Sequence, residues 1–463
     1  MILPKCSPSV ARRLRSEDPI TGVVIDCDNH GCQTYIEIRG DTRLRQSVSF
    51  HQTLLGKTLP AVTNDAHTLA QPMKLATIGI GNAGTKVLDR MLEFEDATNR
   101  SLVRHAMAIN TARTDLAKPD YVPTDRRVLI GDTHQEAKGH GVGGDVEVGA
   151  DVAKTDIEEI RRAFDDVEIH DVDAIHVAAG LGGGTGSGAG PVVIDELQKM
   201  YDEPVYGLGV LPGKYEGGRP ALNAARSLQS FVTKVDNFIA FDNDAWRMRD
   251  QTIEEGYDEM NEELATRIVT LLAAGEKDDT DVAENVMDSS DIMRTLDTGG
   301  VSSIGYASSP VDEKKGLLGR FRENGDEFNA DEATDATKIK GLVRRAVNSR
   351  LTIPCEVSSA DRVLVVISGP PETFARKGLE SARQWLEEAA DTVEVLAGDD
   401  PRENATELAA VVLLSNVTQT PRIDEIQNQA VDAQNKIREL DAVREQEIEE
   451  LITDTNDELD PVI

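Results

Sequence analysis

Residues Ala178–Pro191 read AAGLGGGTGSGAGP, and seven of these fourteen residues are glycine. The stretch joins AIHVAAG, which predicts a strand, to GPVVIDELQKMY, which predicts an amphipathic helix. Each glycine in a regular element costs about 0.5–1 kcal/mol relative to alanine, so the run is costly as a connector. Bare backbone at such a turn lets successive amide N–H groups surround an anion beside the positive end of the helix dipole. We therefore predict an anion-binding loop from Gly180 to Gly188, with hydroxyl donors from Thr185 and Ser187.

The segments around this loop predict an α/β protein. From Lys74 to Asp242, short apolar runs alternate with amphipathic stretches of helical length. This alternation predicts a doubly wound parallel sheet with both faces covered. A long helical segment is predicted after Asn243, and RVLVVISG, TVEVLAGD and LAAVVLLSN predict a smaller α+β domain. We divide the chain into an extension (1–72), a doubly wound domain (73–242), a central helix (243–260), a loop with the C-terminal domain (261–440) and an acidic tail (441–463).

Residues 1–72 differ in composition from the rest. They carry 8 basic and 7 acidic residues, whereas the remainder carries 41 and 76, and they hold three of the four cysteines. The stretch CDNHGC contains Cys27, His30 and Cys32, but zinc sites of this type need two such pairs. We predict no metal site there. Because MKLATIGIG at Met73 reads as a start followed by a first strand, we interpret residues 1–72 as an atypical extension or a mis-assigned upstream start.

The charge of the chain excludes some classes of function. The formal net charge is -34, so broad phosphate contacts with nucleic acid and adhesion to anionic membranes are disfavoured. A highly acidic surface is typical of proteins that stay soluble in concentrated salt. The longest apolar runs are also too short for a membrane span. We predict a cytoplasmic protein of a halophile, without a transmembrane segment.

A second glycine motif, GIGNAG, covers residues 79–84 and follows the first strand after Met73. A dinucleotide-binding fold places phosphate at this kind of strand–helix turn, but it also needs an acidic residue after the second strand. That strand, HAMAIN, ends at Asn110, so a dehydrogenase is disfavoured. The chain contains no GxxxxGK[ST] sequence, which excludes a Walker A loop.

The nonapeptide GLGGGTGSG resembles the signature of the tubulin/FtsZ superfamily, and GKYEGG, LNAARSLQSF and FDNDAW resemble the haloarchaeal CetZ-like branch. The resemblance runs from about Met73 to Leu440 and implies a tubulin/FtsZ-like GTPase fold. It implies guanine recognition by Asn223 and Asn243, whose amides offer donors and an acceptor, and ribose contact by Glu216. The other implied GTP-binding residues are Gly79, Gly81, Asn82, Ala83, Gly84, Asn110, Gly141, Gly143, Gly144, Gly182, Gly183, Gly184, Thr185, Gly186 and Ser187.

The resemblance also implies where the catalytic acid lies. In this superfamily the loop after the central helix carries Asn-x-acid-x-x-acid and enters the nucleotide site of the next subunit. The segment DEMNEELATR matches with Asn261 and Glu263, but the second acidic position is Thr266. Glu262 and Glu259 are near enough in sequence to substitute. The implied chemistry is Mg²⁺-dependent hydrolysis of GTP to GDP, activated when subunits associate head to tail.

These features favour a GTP-hydrolysing cytoskeletal protein whose filaments control cell shape. Its partners would be copies of itself and other tubulin/FtsZ-family proteins. A nucleotide-binding structural homologue without hydrolysis is an alternative, because of Thr266. A cell-division FtsZ is a third reading, which the acidic ending DTNDELDPVI disfavours because it lacks a short apolar-basic docking peptide.

Overall fold

The computed structural model describes residues 20–28, 31–38, 73–247, 253–275, 287–311 and 327–453. These residues form the strands β1 (Ile20–Asp28), β2 (Gly31–Ile38), β3 (Leu75–Ile80), β4 (Val103–Asn110), β5 (Arg127–Leu129), β6 (Ala174–Gly180), β7 (Val205–Leu211), β8 (Asn237–Asp242), β9 (Val301–Pro310), β10 (Arg362–Gly369), β11 (Val395–Pro401) and β12 (Glu407–Ser415). They also form the helices α1 (Gly81–Thr98), α2 (Arg113–Leu116), α3 (Val146–Thr155), α4 (Ile157–Phe164), α5 (Gly184–Met200), α6 (Gly218–Lys234), α7 (Asn243–Trp246), α8 (Ile253–Leu272), α9 (Ser289–Leu296), α10 (Glu327–Asn348), α11 (Arg376–Ala390) and α12 (Pro421–Thr453).

Ten of these strands form one continuous sheet in the order β11-β10-β12-β9-β8-β7-β6-β3-β4-β5. All neighbours from β5 to β8 pair in parallel. The strands β3, β7 and β8 are buried along their whole length, because helices cover both faces of a parallel sheet. The predicted doubly wound α/β architecture is confirmed.

The other end of the sheet is mixed, as predicted for the smaller α+β domain. Strand β12 pairs antiparallel with both β9 and β10, and β10 pairs in parallel with β11. Helices α10 and α11 supply the apolar side chains Ile339, Val343, Leu379 and Leu386 to a core on one face of these strands. Strand β9 also pairs in parallel with β8, so the two parts share one sheet.

The helix α8 joins the two parts through the core on the opposite face. Its buried side chains Met260, Leu264 and Ile268 lie in one apolar cluster with Met91 of α1 and Leu413 of β12. Two buried ion pairs reinforce the junction: Arg100 Nη2 lies 2.9 Å from an Asp400 oxygen, and Arg422 Nε lies 3.0 Å from an Asp242 oxygen. These ion pairs join the parallel part of the sheet to β11 and to α12.

The first of the two units of the chain spans residues 1–67, of which the structure describes 20–28 and 31–38. Its described residues form an antiparallel hairpin of β1 and β2, in which Cys27 and Cys32 are backbone partners. His30 and the side chains of the CDNHGC stretch lie outside the described residues. The metal question and the interpretation of residues 1–72 as an extension therefore stay predictions.

A buried histidine lies in the middle of the parallel sheet. His176 of β6 is fully buried between Thr77 and Tyr206, its register partners on β3 and β7. Within the described residues, neither ring nitrogen of His176 nor the Thr77 hydroxyl has a hydrogen-bond partner. Burial lowers the pKa of His176 from 6.5 to about 4.

We expect this histidine to make the fold acid-sensitive. The pKa of His176 is lower in the folded state than in the unfolded state, so folding favours the neutral ring. The resulting contribution to the free energy of unfolding is fully present above pH 6.5 and is lost as the pH falls through 4. The full effect is about 3 kcal/mol. Thermal unfolding of the wild type and of His176→Leu between pH 7.5 and 4 measures it. A stability difference between the two proteins that is independent of pH would contradict the expectation.

Candidate functional site

A cavity of about 420 Å³ opens at the carboxyl edge of the parallel strands. This edge, at the strand-order reversal between β3 and β6, is where open α/β sheets bind ligands. The volume suits a small organic ligand, since such sites measure about 300–1,000 Å³. The lining residues come from the ends of four strands and the helix starts that follow them: Ile80, Gly81, Asn82, Ala83, Lys86, Asn110, Ala112, Asp115, His140, Gly141, Val142, Gly143, Gly144, Gly180, Gly182, Gly183, Gly184, Thr185, Gly186, Val210, Pro212, Glu216, Asn243, Tyr257 and Asn261.

Two long helices direct their N-termini at the cavity. Helix α1 begins at Gly81 and α5 at Gly184, and neither has a side-chain cap on its first turn. The first N–H groups of a helix have no intrahelical acceptor, and the helix dipole makes that end positive. Helix α3, beside them, is capped by the Asp145 carboxylate instead. The two uncapped starts therefore form a ready binding site for phosphate groups.

The glycines of the opening stretch serve two purposes. A Cβ on Gly183 would meet nothing within 4 Å, so its bare backbone faces the cavity. A Cβ on Gly184 would lie 2.6 Å from the Asp145 carbonyl oxygen, and one on Gly188 would lie 2.2 Å from that of Val146. Helices α3 and α5 approach each other that closely. Much of the glycine run therefore allows backbone packing and only part of it contacts a ligand.

Asn110 offers an unused donor to the cavity. Its Oδ1 accepts hydrogen bonds from the amides of Thr111 (2.8 Å) and Ala112 (3.2 Å), which fixes the amide plane. Its Nδ2 is buried and has no partner among the described residues. Thr111 also bonds through its hydroxyl to the Thr185 hydroxyl at 2.7 Å, which joins this loop to the start of α5. A buried unpaired donor costs free energy until a ligand oxygen accepts from it.

An asparagine of α6 is hydrogen-bonded to the loop before α3 and to the glycine-rich turn before α5. Asn223 Nδ2 donates to the carbonyl oxygens of Gly144 (2.9 Å) and Gly182 (3.0 Å), so both amide hydrogens are used. Gly143 and Gly144 have φ of 59° and 76°, a region that favours glycine. Asn223 therefore braces the two glycine loops and does not line the cavity. The base contact predicted for Asn223 stays a prediction, since these bonds use its amide hydrogens and leave its Oδ1 as an acceptor.

The cavity lining also includes polar and aromatic groups that suit a purine ring. These residues are Asn243, Tyr257 and Asn261. The Tyr257 hydroxyl lies 3.2 Å from the Tyr215 hydroxyl, and burial, with Tyr215 and Glu216 beside it, raises its pKa. Glu216 itself accepts from the Gly213 amide at 2.8 Å. A flat ring and two amides can stack on a base and bond to its edge.

The structure brings most of the predicted site residues together. The predicted residues that line the cavity are Gly81, Asn82, Ala83, Asn110, Gly141, Gly143, Gly144, Gly182, Gly183, Gly184, Thr185, Gly186, Glu216, Asn243 and Asn261. Gly79 and Gly84 lie just behind it, where a Cβ on Gly84 would be 2.1 Å from the Ala178 carbonyl oxygen. Ser187 donates to the Leu181 carbonyl at 2.6 Å instead of facing the cavity.

The predicted position of the catalytic loop is wrong. Asn261, Glu262 and Glu263 lie in the middle of α8, which continues to Leu272 without a break. Glu262 is exposed, and Glu263 forms an ion pair with Arg267 one turn later. The helix is uninterrupted because its second half, IVTLLAA, is buried in the core. Asn261 faces the cavity of its own chain, where a base contact suits it better than a catalytic role.

The sequence analysis missed two acids that follow α8 and have the predicted acid-x-x-acid spacing. Asp288 caps α9 by accepting from the Asp291 amide at 3.0 Å. Asp291 is partly buried, and burial, followed by the charge of Asp288, raises its pKa. Neither residue lines the cavity. The acid-x-x-acid pattern DSSD, residues 288–291, was the signal for these acids. It follows the apolar end of α8, whereas the predicted loop lies within that helix.

The two acids lie at the opposite edge of the sheet from the cavity. Asn237, the first residue of β8, donates to the carbonyl oxygen of Leu296 at the end of α9 (2.9 Å), so α9 lies at the amino edge. Asn243, just after β8, lines the cavity at the carboxyl edge. The six residues of β8 span about 20 Å. Neither acid lines the cavity of its own chain, and α9, which begins at these acids, ends at the opposite edge of the sheet.

The described residues contain no group of three or more His, Cys, Asp or Glu side chains that could hold a metal ion. Asp115 is the one carboxylate besides Glu216 in the cavity lining, and Lys86 and His140 are its basic side chains. Mg²⁺ typically keeps several waters and binds through substrate phosphates with one or two protein oxygens. The cavity fits a Mg²⁺ ion of that kind.

Among the described residues no helix is long and apolar enough to span a membrane.

Comparisons with protein families and solved structures agree with this geometry. The model of the tubulin/FtsZ family GTPase domain matches residues 74–249, and that of the tubulin-like CetZ C-terminal domain matches residues 250–432. Tubulin-like protein CetZ1 of Haloferax volcanii is 50% identical over 375 residues, which cover 80% of this chain and 94% of that protein.

Two solved structures from the same organism share the fold. The GDP-bound monomer of Haloferax volcanii CetZ1 has a TM-score of 0.69 at 47% identity, covering 78% of this chain and all (100%) of that one. The GTPγS-bound protofilament of Haloferax volcanii CetZ2 has a TM-score of 0.69 at 37% identity, covering 79% of this chain and 100% of that one.

Proposed function

Because the chain belongs to the CetZ family of tubulin-like proteins, with a tubulin/FtsZ GTPase domain, we propose that it binds and hydrolyses GTP and assembles into filaments. The observation that carries the proposal is the separation of two incomplete half-sites. The cavity lies at the carboxyl edge of the sheet, and the acids Asp288 and Asp291 lie at the amino edge.

The cavity supports binding of a guanine nucleotide. We assign the phosphates to the uncapped starts of α1 and α5, where Asn110 Nδ2 also awaits an acceptor. We assign the base to Tyr257, Asn243 and Asn261, and the ribose to Glu216. Relatives with bound GDP and GTPγS support this class of ligand.

The half-sites support assembly of a particular kind. Stacking one copy on the next, amino edge onto carboxyl edge, brings Asp288 and Asp291 of one to the cavity of the other. This contact joins different surfaces of the two copies, and such contacts generate open filaments. A CetZ2 protofilament among the solved relatives supports the proposal.

In the completed site, an ionised carboxylate positions the attacking water and the glycine loops hold the phosphates in line. Phosphoryl transfer depends mainly on such positioning and on neutralisation of charge. Mg²⁺, when bound, would supply part of that neutralisation, and Asp115, which lines the cavity, would be the protein carboxylate that helps to hold it. The role of Asp291 is to hold water, and that of Lys86 is to add positive charge.

We propose that the filaments act in the cytoplasm to control cell shape. The family membership and the resemblance to the CetZ branch support this role. A nucleotide-binding homologue without hydrolysis is the alternative. The acids Asp288 and Asp291 at the end of the sheet opposite the cavity favour the hydrolysing form, because a structural homologue would not need acids there.

The rate of GTP turnover per protomer, measured against protein concentration in molar KCl with Mg²⁺, tests the proposal. We expect the specific rate to rise cooperatively above a threshold concentration, because each active site needs two copies. A constant, non-zero specific rate would mean that one chain contains a complete site. Tight GTP binding without turnover at any concentration would favour the structural alternative.

A further inference from the structure

The last helix, α12, extends beyond the body of the protein. Its first part packs on α6 and buries Ile426 and Ala430. From residue 435 to 449, every residue is exposed. We call residues 436–449 the arm. An isolated helix of this length is only marginally stable in water, so the arm gains stability when another surface covers it.

The arm carries half of the large apolar side chains that are exposed among the described residues. Among the described residues eight large apolar side chains are exposed. Four of them lie on the arm: Ile437, Leu440, Val443 and Ile448. At about 100° per residue, Ile437, Leu440 and Ile448 lie within an arc of about 80°. The same arc contains Ile426 and Ala430. The core-facing stripe of α12 therefore continues into solvent, with one charged residue, Arg444, in the same arc.

A groove of about 630 Å³ runs beside the base of this stripe. Ile437 and Leu440 form one wall, and the start of α6 from Gly217 to Arg219 forms the other. Three cations, Lys214, Arg219 and Lys436, line it with one acid, Asp432. Lys214 is paired with Glu425 and Asp244, and Arg219 with Asp145. On a chain with net charge -34 this concentration of basic side chains is unusual.

The charges of the arm are arranged in opposite signs along its length. Lys436 and Arg438 lie at its base, Asp441 lies in its middle, and three acids, Glu445, Glu447 and Glu449, lie with Arg444 toward its tip. At about 100° per residue, Lys436 shares one flank of the stripe with Glu447, and Arg438 shares the other flank with Glu445 and Glu449. Glu439 points away from the stripe.

This arrangement is complementary to itself in one orientation only. Two arms side by side in antiparallel orientation bring the same flanks together, with the base of each beside the tip of the other. Lys436 then faces Glu447, and Arg438 faces Glu445. A parallel pair would place acids against acids at the tip and bases against bases at the root, which is unfavourable.

We propose that the arm binds the arm of a second copy of this chain in antiparallel orientation. Ile448 of each copy lies against Ile437 and Leu440 of the other, next to the basic groove. Such a contact uses the same surface on both copies and is closed. The proposal rests on the proposed filament function, because arms repeated along two filaments would join them side by side.

The arm contact is small, so it is weak between single protomers. A stable interface usually buries about 1,200–2,000 Å², which fourteen exposed helical residues do not provide on their own. Repetition along two filaments multiplies the contact, because each pair raises the effective concentration of the next. Pairing should therefore be much stronger between filaments than between protomers.

The double variant Leu440→Glu/Ile448→Glu tests the apolar contact, with Val431→Glu as control. Val431 is 56% exposed, close to the 60% of Leu440, but lies on the opposite side of α12. We expect paired filaments from the wild type and the control by electron microscopy, and single filaments from the double variant, with similar GTP turnover. Paired filaments from the double variant would overturn the proposal.

A measurement without filaments keeps this test independent of the proposed function. Sedimentation equilibrium of the full chain with GDP should show a weak dimer that the double variant weakens at least tenfold and the control leaves unchanged. Equal self-association of wild type and double variant would overturn the arm contact. Absence of filaments with an intact, arm-dependent dimer would contradict only the proposed assembly.

A charge swap tests the orientation. Lys436→Glu/Arg438→Glu reverses the charge of the base, and Glu445→Lys/Glu447→Lys reverses two of the three acids at the tip. We expect neither variant to dimerise alone and an equimolar mixture of the two to dimerise. Because salt screens these charges, the measurement uses the lowest salt concentration at which the midpoint temperature of unfolding is unchanged. Dimerisation of either variant alone, or none in the mixture, would overturn the antiparallel pairing.

Discussion

Asp291→Asn should lower GTP turnover at least about 100-fold, the usual loss when a group that activates a nucleophile is removed. Nucleotide binding should not change, because Asp291 lies at the amino edge of the sheet, away from the cavity of its own chain. Filaments should persist longer, since their nucleotide stays unhydrolysed. Turnover and nucleotide affinity, measured separately on filaments and on dilute protomers, check both expectations.

Asp291 is the better target of the two acids. Asp288 caps α9 and accepts from the Ser290 hydroxyl, so replacing it would also destabilise the helix by about 1 kcal/mol. Within the described residues no side chain donates a hydrogen bond to the Asp291 carboxylate, and its pKa is raised by burial. The carboxylate must be ionised to orient water, so turnover should fall on acidification at a higher pH than an exposed aspartate would give.

Glu263→Gln and Glu262→Gln are the matched controls, because the sequence analysis placed the catalytic acid at these positions. Both lie within α8, where Glu263 is already paired with Arg267. We expect both variants to retain turnover within a few-fold of wild type. A 100-fold loss in Glu263→Gln with normal turnover in Asp291→Asn would restore the original assignment and contradict the present one.

The difference between the predicted loop and the observed helix has a physical cause. The apolar run IVTLLAAG after Asn261 fits a buried strand and the buried half of a helix equally well, because both are apolar on all sides. In the structure Ile268, Val269 and Leu272 are all buried in α8. Where a fully buried helix ends depends on the core around it, and local sequence does not contain that information.

Other parts of the site could be predicted because their signals are local. A strand, a glycine-rich turn and a helix follow one another at GIGNAG and GLGGGTGSG, and such a unit places its turn at the carboxyl edge of a sheet. The role of Asn223 could not be predicted in this way. Its bonds to Gly144 and Gly182 join segments 79 and 41 residues away in sequence. Tyr257 was missed because its position depends on where α8 crosses the cavity.

The glycine run itself provides the second large effect. Gly188→Ala should destabilise the nucleotide-free protein by at least about 1–3 kcal/mol. Its Cβ would lie 2.2 Å from the Val146 carbonyl oxygen and 2.7 Å from the Ala150 amide nitrogen. Both obstacles are backbone atoms of α3, so neither a rotamer change nor a small shift of one side chain removes the clash. Thermal unfolding without nucleotide measures the loss.

Gly183→Ala is the matched change with the opposite outcome. Gly183 has φ of -88° and ψ of 170°, an extended conformation that alanine adopts, and a Cβ there meets nothing within 4 Å. Unfolding should change only by the cost of alanine at an N-cap, up to about 1 kcal/mol. The new methyl group instead enters the space beside the first N–H groups of α5. We expect GTP affinity to fall at least tenfold, measured by calorimetric titration.

The pair separates the two purposes of the run, which sequence alone does not distinguish. If the glycines served only to surround an anion, Gly188→Ala would weaken nucleotide binding and leave unfolding unchanged. If they served only packing, Gly183→Ala would affect neither property strongly. The structure requires stability to be lost at Gly188 and affinity at Gly183, because the close approach of α3 to α5 at Gly188 holds the uncapped start of α5, at Gly183, open to the nucleotide.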